Sequence, residues 1–140
     1  MDAAAILQPV FVVGLLTVVM TLWMLVTRIP KMQALGIDPQ QAQVPSRLHD
    51  LLPAETMRVS NNYNHLFEQP TLFYAVAISI AVAGHVDALY VQCAWAYATL
   101  RILHSLVQAT VDIVNVRFLL FSLSWLVLGF MTVREALALF

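Results

Sequence analysis

Apolar residues fill four long stretches of the chain, and charged residues fall mostly between them or at their ends. The first stretch runs from Ala3 to Thr27 without a charge and stops at Arg28, Pro30 and Lys31. Crossing a bilayer takes about 20 mostly apolar helical residues, so this stretch predicts a spanning helix over residues 4–28. It is too long for a secretory signal peptide and lacks the basic start of one, and is expected to stay in the mature protein. Residues 30–53 are polar and punctuated by prolines, which reads as a loop feeding a helix with Pro53 near its first turn.

The second helix is predicted over residues 54–84, polar in its first three turns, apolar from about Leu66 and bent at Pro70. A turn at Gly84, His85 and Asp87 leads to a third helix over residues 88–111, interrupted only by Arg101. A second turn, from Asp112 to Asn115, leads to a fourth helix over residues 116–137. No internal repeat or detachable segment appears. The pattern therefore predicts one all-α integral membrane domain over residues 1–140, an up-down-up-down bundle of four transmembrane helices.

Composition agrees with the pattern. Of 140 residues, 61% are hydrophobic and 11% charged, against about 25% charged in soluble domains, which need charge to cover their surface. Mean hydropathy is +0.80. A net charge of -1 gives no basis for binding nucleic acid, which requires clustered positive charge. The single cysteine, Cys93, allows no internal disulfide and lacks the paired spacing of a metal site, so no metal is expected. Arg28, Lys31 and Arg47 sit in or beside the first loop and Arg58 follows it, so the positive-inside rule places that loop in the cytoplasm and both termini outside.

Polar residues inside the spans are spaced to share helix faces. On the second helix Arg58, Asn61, Asn62, His65 and Glu68 form one stripe. On the third, Arg101, His104, Ser105, Gln108 and Asp112 form another, in the same half of the membrane. Arg28 and Arg117 lie at that level on the first and fourth helices, whereas the outer half offers almost nothing comparable. An arginine at mid-membrane costs about 2.5–3.5 kcal/mol on insertion scales, so Arg101 is expected to face inward. Arg28, Arg58, Arg101 and Arg117 outnumber Glu68 and Asp112, a surplus that a small anionic ligand from the cytoplasm would balance.

Other readings compete with a ligand site. Asn, Gln, Ser and His commonly hydrogen-bond helices to each other, and Glu68 could serve only to neutralise Arg101. His65 and His104 on facing helices could in principle ligate a haem, although the neighbouring arginines suit carboxylates better. A channel is disfavoured, because one half of the membrane lacks a polar lining.

The segments RVSNNYNHLFEQPTLFY, AWAYATLRILHSLVQ and VNVRFLLF resemble the MAPEG family, membrane-associated proteins of eicosanoid and glutathione metabolism, with the bacterial branch nearest. The resemblance covers the second to fourth helices, and the first by its hydrophobicity and its terminal Arg28. It implies a homotrimer of four-helix subunits, with glutathione as co-substrate bound between neighbours in the cytoplasmic half, and a lipophilic second substrate. The compartment depends on the host: a bacterial inner membrane is expected, with the endoplasmic reticulum membrane as the eukaryotic equivalent.

Arg58 and Asn62 match the family's Arg-x-x-x-Asn, Arg101 and His104 match its Arg-x-x-His, and Arg117 matches the arginine that activates the thiolate in catalytic members. Glutathione contacts are thus expected from Arg28, Arg58, Asn62, His65, Glu68, Arg101, His104 and Gln108, with Arg117 as the catalytic residue. The chain departs from the pattern at three positions. His65 falls where the family has a glutamate, with Glu68 one turn later as a substitute, and Gln108 and Phe121 fall where many members have tyrosines. The implied activity is a glutathione transferase or peroxidase; the alternative is a scaffold that binds a lipid headgroup or other small anion without catalysis.

Overall fold

The computed structural model describes residues 1–140 and contains helices and turns but no strand. Six α-helices follow in order: α1 (Ala3–Ala34), α2 (Pro45–Leu51), α3 (Ala54–His65), α4 (Gln69–Ala83), α5 (Ala88–Ala109) and α6 (Val114–Leu139), with a 3-10 turn over Pro39–Gln43. By length and hydropathy, α1, the combined stretch Ala54–Ala83 and α6 are long and apolar enough to cross a membrane. The 22-residue α5 is long enough as well, but it carries the second polar stripe.

Where these boundaries differ from the expected ones, local chemistry gives the reason. The first helix does not stop at Arg28 but continues to Ala34, with Pro30 inside it. It ends at Gly36, whose φ of +63° suits a residue without a Cβ and lets the Ile37 N–H reach back to the Met32 carbonyl. The stretch 30–53 is accordingly not an open loop. Its 3-10 turn and α2 bury Leu48 and Leu52 against Met57.

The second predicted helix is broken rather than bent. Pro70 has no N–H for the turn before it, so α3 ends at His65 and α4 starts afresh at Gln69, with Pro70 in its first turn. Glu68, in the break, points outward with its side chain 63% exposed, and Gln69 is buried.

The chain runs back and forth. At one end the Met1 amino group donates to the Val86 carbonyl, and Glu135 near the close of α6 meets His85. At the other end Arg58 of α3 donates to the Thr110 carbonyl beyond α5. Helix α5 packs on α6 and α1, and α1 also packs on α3 and α4. Near the termini the core is apolar, with Ile6, Val13, Phe73, Tyr97, Leu128 and Met131 fully buried. Phe73 and Tyr97 stack there with ring centroids 4.2 Å apart. A smaller apolar cluster, Met20, Val59, Leu66 and Ala109, lies toward α2. On α1, Phe11, Leu15, Val18 and Leu22 recur on one outward face and are all more than half exposed, a stripe suited to lipid or to another subunit.

The end near the termini is not devoid of polar groups, contrary to expectation. Glu135 is 5% exposed and accepts a hydrogen bond from the Tyr90 hydroxyl at 3.0 Å, with His85 Nδ1 2.9 Å from its other oxygen. Beside it Arg134 forks onto Asp87 at 3.0 and 2.5 Å and lies 4.1 Å over the Tyr90 ring. These residues lie close to the helix ends and were hidden by the emphasis on mid-span charges.

Removing the hydroxyl in Tyr90→Phe leaves a buried carboxylate oxygen short of a donor and should cost about 1–2 kcal/mol. Melting of the detergent-purified variant checks this, and an unchanged Tm would show that the contact contributes nothing. The Arg134 fork holds the Asp87 carboxyl down at about 2, helped by the Tyr90 N–H. A carboxylate whose folded pKa is depressed stabilises above its unfolded pKa of about 3.9. Acid should therefore loosen this end only as pH falls from about 4 toward 2, read by hydrogen exchange at residues 85–90.

Candidate functional site

Helix α5 places Arg101, His104, Ser105 and Gln108 at i, i+3, i+4 and i+7, so they share one face, and all four are at most 2% exposed. Asn62 of α3 faces them, fully buried. Together they form a polar layer between the two apolar clusters. Arg101 finds no carboxylate there. Its Nη1 donates to Gln69 Oε1 at 3.1 Å, and the same oxygen accepts from the Tyr97 hydroxyl at 3.4 Å.

Most of the remaining hydrogen-bonding capacity of this layer is unspent. Arg101 Nε and Nη2, both amide atoms of Asn62, His104 Nδ1, Ser105 Oγ and Gln108 Oε1 are enclosed without a partner. Buried polar groups are ordinarily paired, and an unpaired one costs about 1–3 kcal/mol, more when charged. Their convergence places several donors and acceptors around one point between α3 and α5.

Next to this layer lies a cavity of about 180 Å³ lined by His65, His104, Arg117, Val114, Phe118 and Phe121. The two imidazoles meet edge to face with centroids 5.6 Å apart, and Phe121 lies 6.1 Å from His65. The cavity is small beside the about 300–1,000 Å³ of ordinary ligand pockets, which leaves no room for a porphyrin between the histidines. His65 Nδ1 is 2.8 Å from Glu68 Oε2, within ion-pair range but off the hydrogen-bonding direction. Glu68 therefore pairs with His65 and makes no ion pair with Arg101. Its place in the α3–α4 break turns it outward.

Arg58 and Arg117 do have an anion. Asp112, in the turn after α5, pairs with Arg117 Nη1 and lies 3.7 Å from Arg58 Nε. It sits at φ +53°, a left-handed conformation that aspartate tolerates better than most residues. One carboxylate thus pins α3, the α5–α6 turn and the start of α6 together. The surplus of positive charge is concentrated on Arg101.

Arg28 does not join this group. It lines a separate cleft of about 260 Å³ with Ser60, Asn64 and Met57 of α3 and with Pro45 and Leu48 of α2. The physical reason is helical geometry: 57, 60 and 64 share one face of α3, and 58, 62 and 65 share another. Helix α1 packs on the first face. Helix α3 is polar on two sides, and only one of them belongs to the Arg101 layer.

Gln69 was missed in the sequence stripe, although it had a signal. It lies four residues after His65 and seven after Asn62, on their face of a continuous helix, and the helix break then directs Glu68 away. Tyr97, one turn before Arg101 on α5, brings its hydroxyl to the same Gln69 oxygen.

A family model described as the MAPEG family matches residues 6–137 of the chain. No curated protein and no solved structure matches it.

An unpaired buried guanidinium destabilises an empty site, so Arg101→Met should leave the ligand-free protein as stable as the parent or stabilise it. The change in Tm without added ligand measures this. A loss of several degrees would mean that Arg101 is a structural strut and not a ligand group.

Proposed function

The chain belongs to the MAPEG family, and from that premise we propose that it binds glutathione and uses the thiol on lipophilic substrates as a transferase or peroxidase. With its three apolar spans it is an integral membrane protein. In the proposal α5 is the fourth span, the α2 end faces the cytoplasm and both termini lie outside, in a bacterial inner membrane. The observation that carries the reading is the buried Arg101 guanidinium with Nε and Nη2 unpartnered among orphaned amide, imidazole and hydroxyl groups. Glutathione has two carboxylates, an ammonium and two peptide units, enough acceptors and donors to satisfy such a layer.

In this reading Arg101 takes a carboxylate through a charge-assisted fork, with Asn62 and Gln108 on the peptide groups and Arg58 at the mouth beside Asp112. His65 and His104 flank the cavity that receives the thiol. Arg117 faces that cavity and favours the charged form of the sulfur, which is the nucleophile. Glu68 sits outside the layer and acts on the ligand through His65. The exposed Phe118 edge gives a lipophilic co-substrate an approach from the bilayer.

A homotrimer with the ligand between subunits is part of the proposal. None of the polar cavities of one chain, at about 180, 230 and 260 Å³, reaches the size of an ordinary ligand pocket. The second polar face of α3, with Ser60 Oγ enclosed and unpartnered beside Arg28, would then complete a neighbour's site. That arrangement restores Arg28 to glutathione binding across a subunit boundary.

A second reading is favoured by Phe121, which lines the cavity where many relatives would present a hydroxyl. Here the same layer holds a lipid headgroup or other small anion and no turnover follows.

Titration calorimetry of glutathione into the detergent-purified protein decides between them. Saturable binding with a Kd between about micromolar and millimolar, or roughly -8 to -4 kcal/mol, is expected. Arg101→Met should weaken it at least about tenfold, and Arg117→Ala should abolish conjugation of a lipophilic electrophile while retaining binding. Absence of binding to folded protein would leave the anion-binding reading standing. Light scattering that gives a monomer mass in detergent would overturn the inter-subunit site.

A further inference from the structure

The two positions where relatives carry hydroxyls are held here by Gln108 and Phe121, neither of which can take up a proton. The cavity beside Arg117 offers imidazoles instead. We propose that His65 is the general base of this site, accepting the proton of the bound thiol while the charge of Glu68 beside Nδ1 favours the imidazolium. The proposal deepens the glutathione reading and rests on it.

His65 is the last residue of α3, immediately before the break that Pro70 enforces. That break brings Glu68 back to it, with Oε2 2.8 Å from Nδ1. The negative charge beside Nδ1, although off the hydrogen-bonding direction, electrostatically favours a proton there and leaves the lone pair on Nε2. His65 lines the cavity that also holds Arg117, so this lone pair belongs to the nitrogen available to a ligand there. His104 lacks this feature: it is 1% exposed and has no carboxylate beside it. The groups facing His65 are Glu68 beside it, His104 and Arg101 from α5, and Arg117 from α6.

The step is a simple transfer. The S–H bond breaks, a bond from Nε2 to that hydrogen forms, and the electron pair stays on the sulfur facing Arg117. When the thiolate adds to an electrophile, the imidazolium returns the proton to the electron pair displaced on that electrophile. No oxidant or further reactant is needed.

Transfer to His65 keeps the proton inside the site, where Glu68 beside the ring favours the imidazolium that forms.

Glutathione binding to the intact detergent-purified protein tests this, with the ultraviolet thiolate band and the number of protons released recorded together, the latter by calorimetry in buffers of different ionisation enthalpy. The wild type should show a thiolate band at neutral pH with almost no net proton release. His65→Gln should bind with affinity within a few-fold of the parent, and its band should be at least about tenfold weaker or accompanied by release of about one proton per site. Conjugation should fall about a hundredfold, the usual scale for losing a general base.

Glu68→Gln, a change at a solvent-facing side chain, should fold normally, retain binding and weaken the band at least threefold. A band and proton count unchanged in either variant that binds would overturn the assignment. If His65→Gln does not bind, Glu68→Gln alone decides. Failure of the wild type to bind glutathione would overturn the site reading and the base with it, and is distinguishable because no variant is needed to see it.

Discussion

The arrangement turns on the cost of holding the Arg101 guanidinium away from water with one neutral hydrogen-bond partner. A guanidinium facing hydrocarbon is costly, and α5 turns that face inward, where Arg101 is fully buried. Everything polar on α5 follows, because Arg101, His104, Ser105 and Gln108 are fixed on one face by the helix period. The apolar packing on either side of this layer, from Phe73 and Tyr97 above to Met20 and Leu66 below, is what keeps water out and makes the unspent groups costly. A site that is expensive when empty binds a complementary ligand strongly, since binding removes a penalty as well as adding contacts.

The helix break at Pro70 is the second decisive feature. It converts what the sequence pattern reads as one bent helix into two rods and exchanges the roles of adjacent residues. Gln69 turns inward and becomes the only hydrogen-bond partner of Arg101, while Glu68 turns outward and reaches back to His65. Three polar residues within five positions therefore serve three purposes: one lines the cavity, one holds the arginine and one meets solvent. Without the break, Glu68 and His65 would lie on a continuous helical face as simple i, i+3 neighbours, and Gln69 would follow His65 down the same stripe.

Three apolar spans and the buried face of α5 were legible because hydrophobic runs and helical periodicity report directly on burial. Arg101, His104 and Gln108 could be placed on one face from their spacing alone. What escaped depended on directions that spacing does not encode. Arg28 lies at the right depth but on the wrong side of α3, since level along a helix says nothing about which neighbour packs where. Glu68 lies on the stripe in sequence but leaves it at a proline. The Glu135, His85 and Tyr90 contacts escaped because their residues sit near helix ends, where a charge raises no alarm.

The two ends of the protein use their charges differently, and the contrast bears on function. Near the termini, Asp87 with Arg134 and Glu135 with Tyr90 and His85 are matched pairs with most of their bonds made, the pattern of a structural clasp joining the α4–α5 turn, α5 and α6. Toward α2, Asp112 satisfies Arg58 and Arg117, yet about three turns along α5 Arg101 makes no ion pair. A protein that needed charge only for cohesion would have no reason to leave one end paired and the other short of an anion. The unpaired arginine lies beside the cavity that joins two imidazoles, Arg117 and aromatic edges, so the two ends of the protein differ in chemistry as well as in pairing.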